Sequence, residues 1–395
     1  MLCVGGLKAL AVPRSLGCPV RAAVVGAGFA GLINAVKLLS SGVSVDIYEE
    51  HDKVGYPKHC TGLVSLRTAR LIGRAAETSI EAVYDYLVLR SGGDELRIRA
   101  RTVKLDRVRL ENALLREAEK LGASVRLGER VASVSPGRGE IELENGERHS
   151  GYDIIVLAEG LHGMIRRRLS ILWTPRTSMG INLEARCPSR GTLTVLEKEG
   201  AWFAWLVPTP RSLVAGALGP RPGGVMRASQ SIMKESGCDA SREVYGGRVI
   251  HGPPMPPDQA VRARFAIVGD AAGLTKPLTG GGLYPNTVLA EIASRELRHG
   301  YDLSRAYSLA YETLYKRLRR QFRIARALLE GGILWPAVRA LARSYSGALE
   351  LDYDEHEKAL RSIVRTLGFK TVSAAARLVL GAPRALAWLP YVLLP

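Results

Sequence analysis

The apolar positions between residues 21 and 50 predict a strand, a helix and a second strand. Residues 21–25 form a short apolar run, residues 32–41 carry apolar side chains at helical spacing, and residues 43–48 form a second run. Gly42 follows the helical segment, as glycine commonly does after the last helical residue. This order is typical of the βαβ unit of an α/β protein.

Further along the chain, the pattern distinguishes three kinds of segment. Residues 106–122 carry an amphipathic helical pattern that ends at a glycine, and residues 139–148 predict a hairpin with an Asn-Gly turn. Residues 170–255 alternate strand-like runs with turns, which predicts an antiparallel sheet. Beyond residue 298 the pattern becomes helical and basic.

A glycine-rich turn joins the first predicted strand to the first helix. Gly26, Gly28 and Gly31 have GxGxxG spacing, which permits a tight turn, close approach of a pyrophosphate, and packing of the helix on the strand. Glu49 ends the second strand, where an acidic side chain accepts hydrogen bonds from a ribose. Because strand, turn, helix and acid occur in register, the sequence predicts a dinucleotide site.

A second glycine-rich segment, residues 265–284, repeats the order of strand, turn and helix. A short apolar strand closes on Asp270, and the run Gly280–Gly282 precedes a helical pattern. Bare N–H groups at a helix start favour an anionic ligand, and a carboxylate at a strand end can accept hydrogen bonds from sugar hydroxyls. We expect the two turns to hold two halves of one cofactor.

Composition narrows the class of protein. The 395 residues are 47% hydrophobic with a formal net charge of +17, so the chain can form two or three domains, or one large interleaved one, and an anionic partner is expected. Aromatic residues make up only 6%, and no zinc-finger spacing or RNA-binding motif occurs, which argues against nucleic acid. A membrane surface or a phosphorylated substrate fits better.

The cysteines and the N-terminal residues indicate the cellular compartment of the protein. The cysteines are widely separated, which argues against a disulfide framework or a structural metal site and for a reducing, cytoplasmic compartment. They are Cys3, Cys18, Cys60, Cys187 and Cys238. Residues 1–20 lack the apolar core of a signal peptide and are interpreted as an extension, and no apolar run is long enough to span a membrane.

Together with the two turns, the loop at residues 54–65 makes the sequence similar to a known family. The loop has the pattern GxPxxCxG around Cys60, and the later segment has GDAAG followed by PLTGGG. Over roughly residues 21–300 these motifs resemble the geranylgeranyl reductase family in content and order. Those proteins are FAD-dependent enzymes that saturate prenyl double bonds and share the fold of p-hydroxybenzoate hydroxylase.

The resemblance implies an α/β fold with a Rossmann-type FAD-binding domain, an antiparallel-sheet substrate domain and a helical C-terminal region. The expected bounds are 21–65, 101–168 and 256–298 for the FAD-binding domain, 66–100 and 169–255 for the substrate domain, and 299–395 for the helical region. The basic face of that region and its apolar tail with Trp388 and Tyr391 fit an anionic membrane surface, or equally packing on the protein itself.

The resemblance extends the set of residues expected at FAD. The set is Gly26, Gly28, Ala30, Gly31, Glu49, Glu50, Cys60, Thr61, Gly62, Arg107, Val131, Asp270, Gly281, Gly282 and Leu283. Hydroxylases of this fold carry an Asp-Gly segment followed by Ser and Arg that contacts both FAD and NADPH. This chain has Glu159 for the aspartate and Gly163 for the serine, which favours a separate electron donor. Ferredoxin and reduced nicotinamide both remain open.

The resemblance also places Phe203, Trp205 and Pro208 on the sheet that faces the prenyl chain, although aromatic residues at strand spacing equally fit an ordinary core. Cys60 is the candidate catalytic residue, as a proton relay or by adjusting the flavin, against the alternative of an inert buried thiol. His59 is expected at the surface, and Lys276 is expected as a solvent-facing turn lysine.

We therefore expect an FAD-dependent reductase of geranylgeranyl chains, acting on archaeal ether-lipid precursors as a peripheral protein of the cytoplasmic membrane. Two alternatives remain open at this stage. One is an FAD-dependent monooxygenase of the same fold, and the other is a membrane-associated flavoprotein that passes electrons to quinone.

Overall fold

The computed structural model describes residues 20–382 apart from 190, 239–241 and 369. The predicted extension and the aromatic end of the C-terminal tail lie outside the described residues. The strands are β1 (Arg21–Val25), β2 (Ser44–Glu49), β3 (Leu63–Ser65), β4 (Ile80–Ser91), β5 (Asp94–Leu105), β6 (Ser124–Leu127), β7 (Val131–Ser135), β8 (Glu140–Leu143), β9 (Arg148–His149), β10 (Ile154–Leu157), β11 (Arg176–Ala185), β12 (Leu193–Leu196), β13 (Phe203–Pro208), β14 (Leu213–Gly219), β15 (Arg242–Gly252), β16 (Val261–Arg262), β17 (Phe265–Ile267) and β18 (Ala348–Glu350).

The α-helices lie mainly in the first 120 described residues and after the last long strand. They are α1 (Phe29–Leu39), α2 (Leu66–Ile72), α3 (Arg74–Glu77), α4 (Arg107–Lys120), α5 (Met164–Arg168), α6 (Pro222–Glu235), α7 (Pro257–Ala260), α8 (Leu283–Arg298), α9 (Leu303–Leu329), α10 (Leu334–Ser344), α11 (Ala359–Leu367) and α12 (Lys370–Gly381).

The first sheet is the Rossmann-type sheet that the sequence predicts. Its order is β16-β17-β10-β1-β2-β6, and β1 pairs in parallel with both β2 and β10. The strands β1 and β10 are buried almost throughout, as expected for a parallel sheet covered on both faces. Because the order reverses at β1, the turn after that strand opens into the crevice where ligands bind in such folds.

The second sheet contains the predicted antiparallel strands, β11 to β15, and is mixed overall because β12 pairs in parallel with β4. Its order is β15-β11-β14-β13-β12-β4-β5-β18, with β3 paired to β5. The helix α6 packs on one face of β11, β13 and β14, while α10 packs against β4 and β5. A third, small sheet, β7-β8-β9, contains the predicted hairpin.

The C-terminal region packs against both larger sheets. Strand β18 pairs in parallel with β5, and α9 packs along α8 of the FAD-binding part. The indole Nε1 of Trp335, on α10, donates a hydrogen bond to the carbonyl of Trp202 at 2.9 Å. The apolar faces of these helices are covered by the two larger sheets, so a boundary at residue 299 divides one continuous core.

The elements near residues 66 and 101 pack against two different parts of the structure. The helices α2 and α3 pack against α8 and α4 of the FAD-binding part, whereas β5 belongs along its whole length to the second sheet. Between residues 66 and 105 the strand and helix patterns overlap. The apolar residues alone therefore do not show against which sheet each element packs.

A disulfide corrects the prediction made from cysteine spacing. Cys187 and Cys238 are bonded, although 51 residues separate them. One follows β11 and the other follows α6, and this helix lies on that strand. Their proximity is a product of the tertiary packing, which the spacing of cysteines along the chain does not encode. Within the described residues, no helix is both long and apolar enough to span a bilayer.

Replacing Leu314 by alanine tests whether α9 belongs to the main core. Leu314 is fully buried in the same cluster as β1 and β10, so Leu314→Ala should lower the free energy of unfolding by roughly 2–5 kcal/mol. Urea unfolding followed by circular dichroism measures this change. Val364→Ala, at a position 46% exposed on α11, is the control, and equal small effects of both substitutions would contradict the shared core.

Candidate active site

A cavity of about 560 Å³ lies between the first sheet, the second sheet and the helices α9, α10 and α11. Its polar part is lined by the two glycine turns, the cysteine loop and the start of α4, and its apolar part by the second sheet and α10. The predicted site residues in its wall are Gly28, Ala30, Cys60, Thr61, Gly62, Arg107, Phe203, Trp205, Asp270, Gly281, Gly282 and Leu283. One cavity therefore joins the expected cofactor and substrate residues.

The three glycines of the first turn differ in the space around them. Gly26 has a φ of +102°, and a Cβ on Gly31 would lie 1.9 Å from the Gly26 carbonyl oxygen. A Cβ on Gly28 would meet no atom within 4 Å, and its φ of −70° and ψ of 176° suit any residue. The fold itself therefore requires Gly26 and Gly31, whereas the space beside Gly28 is open to a ligand.

Besides Gly26 and Gly31, three predicted cofactor residues lie outside this cavity. Glu49 turns its carboxylate to the first turn, accepting a hydrogen bond from the N–H of Ala27 at 2.6 Å. Glu50 is half exposed and pairs with Arg130 at 3.3 Å beside a separate polar cavity of about 650 Å³. Val131 is buried at the start of β7, next to that arginine.

The second turn is held in shape by the buried side chain of Asn286. Its Oδ1 accepts a hydrogen bond from the N–H of Gly269 at 2.8 Å. Its Nδ2 donates to the carbonyls of Leu274 at 3.1 Å and Gly282 at 2.8 Å. This residue was not singled out in the sequence, although an Asn in the first turn of the helix after a glycine run is a detectable signal.

Asp270 faces the same space. Among the described residues its carboxylate has no hydrogen-bond partner, and its Oδ1 lies 3.8 Å from the position that a Cβ on Gly282 would occupy. Burial raises the pKa of Asp270 above its ordinary value, with His59 and Arg107 opposing this more weakly. A partly buried carboxylate without a partner is unfavourable in the absence of a ligand, so this residue is suited to accept hydrogen bonds from one.

Arg107 is buried rather than solvated at the start of α4. Its guanidinium forms an ion pair with Glu111 and lies 5.5 Å from the ring centroid of Phe29, which begins α1. Its Nε is buried without a described partner. A cation with one unused donor therefore faces the cavity beside the first turn.

The cysteine loop connects the polar part of the cavity to the second sheet. The Sγ of Cys60 accepts a hydrogen bond from the N–H of Gly62 at 3.4 Å. The hydroxyl of Thr61 donates to the Oδ1 of Asn182 at 2.8 Å, and the indole of Trp205 donates to the same oxygen at 3.2 Å. Asn182 on β11 is thus a further site residue, which fixes both the loop and the aromatic wall.

Of the expected substrate residues, the structure brings two to the cavity. The rings of Phe203 and Trp205 lie 6.0 Å apart on the face of β13 that lines it. Gly216 on β14 provides the space, because a Cβ there would lie 2.3 Å from the Trp205 ring. Pro208 lies on the opposite face at the end of β13, where its carbonyl accepts a hydrogen bond from Tyr84.

The exposure of His59 agrees with the prediction from the sequence, whereas that of Lys276 does not. His59 is exposed, as predicted. Lys276 is not a solvent-facing lysine, since it is only 1% exposed and its ammonium pairs with Asp354 at 2.7 Å. Its partner lies 78 residues further along the chain, in an acidic segment. Because the turn sequence contains no sign of this partner, the turn alone predicts that the lysine is exposed.

Glu159 stands where the hydroxylases have aspartate, and its side chain binds the start of α5. Its carboxylate accepts hydrogen bonds from the N–H groups of Ile165 at 2.7 Å and Arg166 at 2.8 Å, so it caps α5. Burial raises the pKa of Glu159 while these bonds oppose the shift. This side chain is therefore engaged with its own backbone.

Comparison with known proteins agrees with this geometry. The family of NAD(P)-binding Rossmann-like domains matches residues 24–60. Digeranylgeranylglycerophospholipid reductase 1 of Methanopyrus kandleri is 26% identical over 336 residues, which cover 78% of this chain and 89% of that protein. Among solved structures, a geranylgeranyl bacteriochlorophyll reductase-like protein from Thermoplasma acidophilum aligns with a TM-score of 0.74 at 15% identity, covering 91% of this chain and 100% of that one.

The fold also occurs in oxygenases. The structure of 2-methyl-3-hydroxypyridine-5-carboxylic acid oxygenase aligns with a TM-score of 0.62 at 19% identity, covering 83% of this chain and 97% of that one. The fold and the two glycine turns thus define an FAD-dependent oxidoreductase. In sequence the chain is similar to the digeranylgeranylglycerophospholipid reductases, and in fold to the geranylgeranyl bacteriochlorophyll reductase-like protein.

The residues present fit FAD. The open space beside Gly28 admits a pyrophosphate, and the unused Nε of Arg107 supplies a donor for it. The carboxylate of Asp270, without a described partner, suits a sugar hydroxyl. The glycines before α8 leave its first N–H groups accessible to the pyrimidine edge of a flavin.

Gly28→Ala tests whether FAD occupies the space beside this glycine. The substitution should leave the unfolding temperature of the apoprotein unchanged, because the added methyl contacts no protein atom, yet weaken FAD binding at least tenfold (about 1.4 kcal/mol). Fluorescence titration of apoprotein with FAD measures the affinity. Gly93→Ala is the control, since its Cβ is equally uncontacted but lies in the turn between β4 and β5. Unchanged FAD affinity in Gly28→Ala would exclude this placement.

Asp270→Asn should stabilise the apoprotein at neutral pH. Because the pKa of Asp270 is raised by folding, the ionised carboxylate opposes folding; this penalty is absent below pH of about 4 and grows as pH rises through the folded-state pKa. The gain in unfolding temperature from Asp270→Asn should therefore be present at pH 7 and vanish near pH 4. Asp85→Asn, at an exposed site, should show no such pH dependence. A pH-independent gain at Asp270 would contradict the assignment.

Proposed function

We propose that the protein is an FAD-dependent reductase that saturates carbon–carbon double bonds of geranylgeranyl chains, with ether-lipid precursors as substrates. The observation that carries this proposal is the apolar part of the cavity, which continues directly from the expected flavin site. The relatives named as digeranylgeranylglycerophospholipid reductases support the same substrate class.

The apolar part is suited to a long hydrocarbon rather than to a small polar aromatic acid. It is lined by Leu87, Leu89, Leu96, Ile98, Leu193, Val195, Phe203, Trp205, Leu218, Leu334, Trp335, Val338 and Leu341. These side chains come from both the second sheet and α10, so they enclose a chain from two sides. Burying each additional CH₂ group of a ligand contributes roughly 0.8 kcal/mol, which favours an isoprenoid.

Reduced FAD supplies the hydride in this reaction. An isolated double bond is not activated by a carbonyl group, so the second carbon must receive a proton as the hydride arrives. The Sγ of Cys60, in the cavity wall beside Thr61 and Arg107, is the candidate atom to hold and deliver that proton. The faces of Phe203 and Trp205 would stabilise developing positive charge on the chain.

The proposal includes a peripheral position on the cytoplasmic membrane and an external electron donor. The net charge of +17 supports an anionic surface, and Lys316 and Arg319 are exposed on α9. Because the Glu159 carboxylate caps α5, the segment that contacts NADPH in the hydroxylases differs here. Ferredoxin and reduced nicotinamide are the two donors to compare.

Incubation of dithionite-reduced holoprotein with a geranylgeranyl glycerophospholipid should add two hydrogens to the lipid for each bond reduced. Mass spectrometry of the extracted lipid measures the gain, and oxidised holoprotein is the control. An unchanged lipid with fully reducible FAD would contradict the reductase and favour an electron carrier. Oxygen uptake coupled to NADPH oxidation, with oxygen inserted into an aromatic substrate, would favour the monooxygenase.

Two variants sharpen the same assay. Cys60→Ala should retain FAD and lower the yield of saturated lipid at least tenfold, and full activity would remove the thiol from the reaction. Gly216→Ala forces the Trp205 ring toward the cavity and should weaken lipid binding without changing FAD content.

A further inference from the structure

The buried ion pair between Lys276 and Asp354 is not used by the proposed reaction, although Lys276 lies in the wall of the same cavity. The side chains of Lys276 and Asp354 are 2% and 0% exposed, and the Nζ and Oδ1 atoms of the pair lie 2.7 Å apart. Burying two charges is unfavourable unless they are paired and hydrogen-bonded, so a pair in this position requires an explanation.

The lysine belongs to the second glycine turn through its backbone. Its N–H donates to the carbonyl of Gly281 at 3.0 Å, and its own carbonyl accepts from the N–H of Gly280 at 2.7 Å. Its Nζ lies 3.5 Å from the position that a Cβ on Gly281 would occupy. The ammonium is therefore beside the bare backbone at the start of α8, where the positive end of that helix already lies.

The aspartate belongs to the C-terminal segment between β18 and α11. Its Oδ2 accepts hydrogen bonds from the N–H of Ser65 at 2.9 Å and from the hydroxyl of Thr68 at 2.5 Å, both at the start of α2. Tyr353 contacts the same ammonium with its carbonyl at 3.4 Å and its ring centroid at 4.2 Å. These contacts fix the distance between the two charges.

We propose that Lys276 and Asp354 act as a positioning pair that sets the positive charge presented to the flavin, and thereby its affinity for electrons. A cation beside the pyrimidine edge stabilises the negative charge that a flavin gains on two-electron reduction, and a nearby carboxylate offsets it. This inference depends on FAD binding in the cavity and is independent of the identity of the lipid.

Sulfite provides the probe, because it adds to N5 of oxidised flavin and leaves an anionic adduct that a nearby positive charge stabilises. We compare the holoprotein with Lys276→Met, Asp354→Asn and the double variant. Asparagine keeps an oxygen for Ser65 and Thr68, so the variants differ mainly in charge. Bleaching of the flavin absorbance gives the dissociation constant for sulfite, and dye equilibration gives the midpoint potential.

The expected order of sulfite affinity is Asp354→Asn tightest, then the wild type and the double variant within about threefold of each other, then Lys276→Met. Each single variant should differ from the wild type by at least tenfold, which for a two-electron couple corresponds to about 30 mV in midpoint potential. If Lys276→Met does not yield folded holoprotein, the double variant must still bind sulfite at least tenfold more weakly than Asp354→Asn.

Two results overturn the proposal. A shift in the same direction in all three variants identifies a structural tether of the C-terminal segment, because a tether is lost whichever partner is replaced. Sulfite affinities and potentials unchanged in every variant show that the pair does not act on the flavin. The failure of lipid reduction leaves this test intact, since neither readout uses the lipid.

Discussion

The second glycine turn depends on one buried side chain. Asn286 donates to or accepts from three backbone groups of this turn, the N–H of Gly269 and the carbonyls of Leu274 and Gly282. With these groups paired, the run of glycines before α8 keeps an open surface toward the cavity. The accessible helix start and the position of Asp270 both follow from this arrangement.

The cavity combines two environments that are seldom adjacent. Its polar part holds charges that are either paired within the protein, as Arg107 is with Glu111, or directed at the expected cofactor, as the carboxylate of Asp270 is. Its apolar part is bordered by the second sheet and α10. The proposed hydride transfer to an unactivated double bond would benefit from this separation, because charge would be stabilised near the flavin while the hydrocarbon is kept away from water.

The sequence predicts the features that local pattern encodes and misses those that long-range packing decides. The turn between β1 and α1, the hairpin of the third sheet and the antiparallel strands β11 to β15 follow from spacing and turn residues. The burial of Lys276 and the joining of β18 to β5 do not, since their partners lie far along the chain. Pro208 shows a finer limit, because a motif shared with a family does not reveal which face of a strand each residue occupies.

The central claim is that one cavity holds the flavin and a prenyl chain end to end. A crystal structure of the holoprotein with a fully saturated, and therefore unreactive, geranylgeranyl-lipid analogue tests it most directly. We predict density for the flavin between the two glycine turns and for the hydrocarbon between the second sheet and α10, with Trp205 beside the chain. Density for the hydrocarbon outside this cavity, with the flavin in place, would contradict the account.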